Sequence, residues 1–82
     1  MEYRIVFSAE ALRELGRLSP EVARRIMAKV DRLKDGLAGD VKRLTSYSPE
    51  YRLRVGDWRV LFDVVKDVVI VQHVSHRSRA YD

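Results

Sequence analysis

Three arginines carry the chemistry that this chain can offer. Arg52, Arg54 and Arg59 lie in Tyr51-Arg-Leu-Arg-Val-Gly-Asp-Trp-Arg-Val-Leu-Phe, where arginine alternates with apolar residues around a Gly-Asp pair. Alternation of this kind marks a strand with one buried and one polar face. Twelve of the sixteen basic residues are arginine, against twelve acids, for a net charge of +4. A planar guanidinium fork matches phosphate oxygens better than an ammonium point charge. The chemistry expected is the binding of a polyanion.

The neighbouring residues decide which face the arginines take. If Gly56-Asp57 is a two-residue turn, Val55 pairs with Trp58, Leu53 with Val60 and Tyr51 with Phe62. That ladder is apolar and fit for burial. The opposite face sets Arg54 directly against Arg59, and Arg52 against Leu61. Like charges directly opposed weaken a sheet, so the pair calls for an anion between them. If Lys66-Asp67 is also a two-residue turn, Trp58 faces Ser75, Val60 faces His73 and Phe62 faces Val71. His73 then points to the covered side, and His76 and Arg77 arrive beside Gly56 and Asp57. A slip of one residue would invert every assignment.

The elements that position these residues follow from pattern and punctuation. Tyr3–Phe7 alternates as a first strand. Ser8 caps a short helix over Ala9–Arg17, with Leu12 and Leu15 inward. Ser19-Pro20-Glu21 opens a second helix. Its apolar stripe is Val22, Ile26, Val30 and Leu33, and Gly36 ends it. Leu37–Pro49 reads as a loop with a turn near Val41–Leu44. Strands follow over Tyr51–Val55, Trp58–Val65 and Val68–Ser75. The fold expected is α+β, in the order β-α-α-β-β-β. Two N-terminal helices pack on one face of a mainly antiparallel four-stranded sheet, as a single domain over residues 1–82.

Composition narrows the function further. A chain of 82 residues buries only about 60% of its unfolded surface, so an open groove is expected in place of an enclosed cavity. The sequence has no cysteine, which removes disulfides and thiolate metal sites. His73 and His76 show no metal-binding spacing. No apolar run approaches the roughly 18 residues of a membrane span, and a cytoplasmic protein is expected.

Three segments together resemble the RelE/ParE toxin superfamily. They are Tyr3-x-Ile-x-Phe-Ser, the Tyr51–Phe62 hairpin string, and Ser75-His76-Arg77 followed by Tyr81. The likeness covers essentially the whole chain and looks closer to RelE than to ParE. It implies the toxin of a type II toxin–antitoxin pair, a ribosome-dependent endoribonuclease that cuts mRNA in the A site. The implied chemistry is attack of a 2′-hydroxyl on the adjacent phosphate, with no metal or other cofactor. The implied partners are the ribosome, mRNA and an acidic RelB-like antitoxin, through which the complex binds operator DNA. Alternatives within the superfamily are a ParE-like inhibitor of DNA gyrase and a catalytically weak toxin that acts as corepressor.

The resemblance also assigns roles. Arg52 and Arg54 correspond to catalytic basic positions that are lysines in the best-known RelE-type sequences. Arginine cannot act as a general base in a protein, so here they hold phosphate and stabilise charge. Arg59 matches a phosphate-binding arginine, against the plain alternative of a salt bridge to Asp57 or Asp63. Arg77 matches an arginine that stabilises the transition state or leaving group. Tyr81 matches a tyrosine that stacks on a nucleotide. His76 is our own candidate for proton transfer, because histidine titrates near neutrality; Glu50 is a weaker one. Arg25, Lys29 and Arg32 form a basic stripe on the second helix, joined by Lys42 and Arg43, for RNA phosphates. A solvated helix face explains that stripe equally well. Val65, Val68 and Ile70 are expected beside the uncovered face, as a seat for the antitoxin.

Overall fold

A computed structural model describes residues 2–45 and 48–79. The chain runs β1 (Arg4–Phe7), α1 (Ala9–Gly16), α2 (Pro20–Asp31), β2 (Val41–Arg43), β3 (Tyr51–Val55), β4 (Trp58–Val65) and β5 (Val68–His76). The strands form one sheet in the order β1-β5-β4-β3-β2. β1 lies parallel to β5, and the other pairs are antiparallel. Among the described residues no helix is long and apolar enough to cross a membrane.

Local chemistry starts each helix. Ser8 Oγ accepts from the Ala11 N–H and donates to the Gln72 carbonyl, so one hydroxyl caps α1 and ties it to β5. Ser19 caps α2 through the Val22 N–H, with Pro20 in the first turn. α1 buries Ala11 and Leu15, whereas Leu12, expected inward, is 56% exposed. Ala11 and Leu15 are four apart and share one stripe, which turns Leu12 to the helix flank. α2 buries Ile26 and Val30. It passes into a 3-10 turn, Arg32–Lys34, that buries Leu33 ahead of Gly36, whose φ is +66°.

The core lies between these helix stripes and one sheet face, where Leu53, Val60, Phe62, Val69 and Val71 are fully buried. The β3–β4 register matches the expected one at every pair, including Arg54 opposite Arg59. Two expectations change. The sheet has five strands, because Val41–Arg43, read as loop, pairs with β3 as β2. Three residues are too few to show an alternation in sequence, and pairing with Leu53, Arg52 and Tyr51 is what makes them a strand.

The second change lies between β4 and β5. The expected Phe62–Val71 and Val65–Val68 pairs are present, but the register shifts between Leu61 and Phe62. Gln72 is the extra residue of this bulge, and its Nε2 donates to Asp63 Oδ2 at 3.4 Å. Beyond it, Val60 faces Val74 instead of His73, and Trp58 faces His76 instead of Ser75. Val74 thus enters the core at 4% exposure, and His73 is displaced to a place opposite Leu61. Burying valine there avoids the desolvation of an imidazole.

Candidate functional site

The candidate site is the sheet face away from the helices, at the end marked by the β3–β4 turn. Gly56 opens that turn with φ +59°, a left-handed conformation that glycine adopts without strain. Alternation then projects Arg54 and Arg59 to the same side as a directly opposed pair. Arg59 bends toward the turn, and its Nη1 donates to the carbonyls of Gly56 and Trp58 at 2.9 and 3.0 Å. The Arg77 N–H donates to the Asp57 carbonyl at 2.7 Å. Its guanidinium stands 4.0 Å from the Asp57 carboxylate, with both side chains well exposed. A Cβ on Gly56 would come within 3.0 Å of Arg25 Nη2. Arginines from α2, β4 and the segment after β5 therefore gather at one turn.

Arg52 and Arg54 are held from the other side by Asp40, which sequence reasoning missed. Arg54 Nε donates to Asp40 Oδ2 at 2.6 Å, and the Arg54 N–H donates to the Asp40 carbonyl at 3.0 Å. Arg52 Nη1 lies 3.5 Å from Asp40 Oδ1, a charge contact too long for a good hydrogen bond. The hydrogen bond from Arg54 holds the Asp40 carboxyl below the usual aspartate range; the charges of Arg54 and Arg52 add to this, against opposing desolvation. Asp40 is thus ionised at neutral pH. Arg52 is 8% exposed, and its Nε and Nη1 are buried with no hydrogen-bond partner among the described residues. Nothing in the sequence around Gly39-Asp40 signals this contact, because it exists only once β2 has paired with β3.

The basic stripe divides. Arg25 reaches the β3–β4 turn, while Lys29 and Arg32 stay exposed on α2 and its 3-10 extension. Lys42, expected in a loop, sits in β2 directly across from Arg52. Arg43 instead pairs with Glu50, 3.1 Å away, which engages the carboxylate considered above as a proton acceptor.

His76 reaches the expected end of the sheet but on the other side. It pairs with Trp58, and the two rings meet edge to face with centroids 5.3 Å apart. Ser75, not His76, stands across from Arg59. His76 lines a groove of about 560 Å³ with Glu14, Arg17, Trp58 and Arg79. The Ser78 N–H donates to His76 Nδ1 at 3.3 Å. The Ser78 hydroxyl lies 3.1 Å from the same nitrogen and gives or takes the hydrogen according to the tautomer. His73 Nδ1 lies 3.6 Å from Glu14 Oε2, and Glu14 Oε1 accepts from the Val74 N–H at 2.7 Å. Tyr81 lies outside the described residues. On the same face as the arginines, toward β1, Val65 and Val6 are 55% and 44% exposed. They stand near the half-buried Val68 and Ile70 as an apolar strip.

Comparison with known proteins gives this arrangement a lineage. Residues 5–81 match the family model described as the ParE toxin of the type II toxin–antitoxin system parDE. Toxin RelE3 of Methanocaldococcus jannaschii is 26% identical, over 96% of each chain. The archaeal RelE–RelB complex of Pyrococcus horikoshii contains a chain that superposes with a TM-score of 0.79 at 27% identity, covering 98% of this chain and 100% of that one. The RelBE2 toxin–antitoxin complex of Mycobacterium tuberculosis shares the fold at a TM-score of 0.81 and 22% identity, covering 94% and 100%. The whole-length match and the shared α+β architecture agree: the chain belongs to the RelE/ParE superfamily of type II toxin–antitoxin toxins.

Proposed function

We propose that this toxin is an endoribonuclease that cuts mRNA in the ribosomal A site without a metal. The observation that carries the reading is the opposition of Arg54 and Arg59 on an exposed face, with Arg77 fastened to the same turn. Opposed cations on an open surface are neutralised by a phosphodiester. In the reaction, a 2′-oxygen bonds to the adjacent phosphorus and the P–O5′ bond breaks. The 2′-hydroxyl loses its proton and the 5′-oxygen gains one. The products are a 2′,3′-cyclic phosphate and a 5′-hydroxyl end. Arg52, Arg54 and Arg59 hold the phosphate and stabilise its added charge. Arg77 serves the departing oxygen, and Tyr81 stacks on a base. Arg25 extends the cationic surface along the turn, and Lys29, Arg32, Lys42 and Arg43 contact RNA phosphates.

Proton transfer is the step these arginines cannot perform. His76, at the same end of the sheet but on its helix side beside Trp58, is the candidate acid: its imidazolium gives a proton to the 5′-oxygen, and water accepts the proton of the 2′-hydroxyl. In this reading the protein works in the cytoplasm. It is held there by an acidic RelB-like antitoxin seated on the strip of Val6, Val65, Val68 and Ile70, and the complex reaches operator DNA through that antitoxin. The RelE chains it resembles were solved as complexes with RelB.

Mapping mRNA 5′ ends on ribosomes after expression tests the reading. Discrete A-site cuts are expected from the parent. Arg59→Ala should reduce them by a factor of about 100 or more, the scale of losing one charge-stabilising donor. His76→Ala cutting at the parental rate would remove His76 from the mechanism. The match to the ParE family model favours a second reading, gyrase inhibition. Intact mRNA with blocked DNA supercoiling would establish it. Intact mRNA with normal supercoiling would leave a corepressor.

A further inference from the structure

Asp40 is the one carboxylate that the structure sets against Arg52 and Arg54 among the described residues, and it fits them unevenly. Its Oδ2 lies 2.6 Å from Arg54 Nε, but its Oδ1 is 3.5 Å from Arg52 Nη1. Arg52 keeps buried N–H groups at Nε and Nη1 that nothing described accepts. Buried donors on a cation are costly when unmet, and folded proteins leave few of them. A carboxylate fastened to Arg54 leaves its contact to Arg52 long. A tetrahedral phosphate offers more acceptor oxygens, aimed in more directions. Lys42, directly across from Arg52, adds a third cation to the position.

The Asp40 side chain can leave without disturbing the sheet. Its backbone is fixed by the Arg54 N–H on the Asp40 carbonyl and by the Val41 N–H on the Gly39 carbonyl, each at 3.0 Å. Gly39 has φ +124° and packs so closely that a Cβ would meet Leu53 Cδ1 at 3.1 Å. The Asp40 side chain itself is 47% exposed. Rotation about its first side-chain torsion releases the carboxylate to water while the strand stays in place.

We propose that Asp40 is a built-in occupant of a phosphate subsite: a phosphodiester of single-stranded RNA enters between Arg52, Arg54 and Lys42 by displacing the Asp40 carboxylate. This deepens the RNA reading above and rests on it. Asp40 sets a threshold. A single small anion must replace an intramolecular one and gains little. A strand that also engages Arg59 and Arg77 brings its phosphate to Arg52 and Arg54 at high local concentration.

Two titrations test the subsite. The first measures binding of a short unstructured RNA by fluorescence anisotropy for the parent, Asp40→Asn, Asp40→Ser, and Asp40→Asn combined with Arg52→Met. Removing one adjacent like charge should tighten RNA binding about fivefold or more in both single variants. It should also steepen the salt dependence by about 0.7 in the log–log slope. Adding Arg52→Met should abolish the gain. The second titration adds inorganic phosphate and follows the Arg54 Nε–H signal by NMR. Asp40→Asn should respond at a lower phosphate concentration than the parent. Equal or weaker RNA binding by both single variants overturns the subsite while leaving the RNA reading intact. If no form binds RNA, that reading falls, and the phosphate titration decides alone. A lower concentration for Asp40→Asn supports an anion subsite, and an equal one overturns it.

Discussion

The β3–β4 hairpin has two faces built from the same register, and they differ in how fully their needs are met. On the helix side, Leu53, Val60 and Phe62 are fully buried, and Phe62 stacks on Tyr51 with ring centroids 5.3 Å apart. The fully buried side chains there are apolar, and their neighbours are supplied by the fold. On the other side, Arg54 opposes Arg59, and Arg52 is buried with two unmet N–H groups beside an imperfectly placed Asp40. The helix side is complete in the isolated protein. On the arginine side, Arg52 keeps unmet donors among the described residues. A sheet that spends one face on stability can carry an unfavourable arrangement on the other, and that is where a partner is expected to act.

The largest effect should come from breaking the complete face. Phe62→Ala removes a fully buried ring and should cost about 3–5 kcal/mol, a large part of the stability of a domain this size. Urea denaturation should show a fall in midpoint of matching size. Little change there would mean that the core is not organised around this ladder. The contrasting substitution is Arg52→Met, at 8% exposure the most buried charged group described. Removing one partner of a buried ion pair is costly when it strands the other charge, but Asp40 keeps Arg54 and is 47% exposed, so Arg52→Met strands none. Stability should therefore hold or rise while RNA binding falls. A large loss of stability would show that Arg52 is a structural ion-pair member, and the distinction between the two faces would blur.

The same contrast explains what could be read from sequence. The helix-facing ladder and the Arg54–Arg59 opposition were legible because a two-residue Gly-Asp turn fixes the register and alternation does the rest. Ser8 and Ser19-Pro20 marked both helix starts. The features that escaped depend on tertiary pairing. Val41–Arg43 becomes a strand only against β3, so Lys42 and Asp40 had no visible connection to Arg52. The bulge at Gln72 shifts His76 onto Trp58 and away from the arginines, and no local signal distinguishes Gln72 from its neighbours. Family likeness identified the hairpin and the Ser75-His76-Arg77 segment. It did not reveal which carboxylate already occupies the arginines.

The smallest expected effect probes the contact that separates a tethered anion from an incoming one. The Asp40 carboxyl lies below the usual aspartate range chiefly because Arg54 donates a hydrogen bond to it. A carboxyl lowered in the folded state contributes stability that is fully present above its unfolded pKa. That contribution is lost as pH falls through the folded value. The window is therefore acidic, and the contact neither weakens nor strengthens around neutrality. Arg54→Met should let Asp40 titrate nearer an ordinary aspartate, read by NMR of its carboxyl carbon across acid pH. Arg52→Met should shift it less, because the Arg52 guanidinium acts across 3.5 Å and largely through charge. If the two substitutions move the titration equally, Asp40 bridges both arginines evenly, and the uneven fit that leaves Arg52 unmet is lost as a reason for a phosphate to displace it.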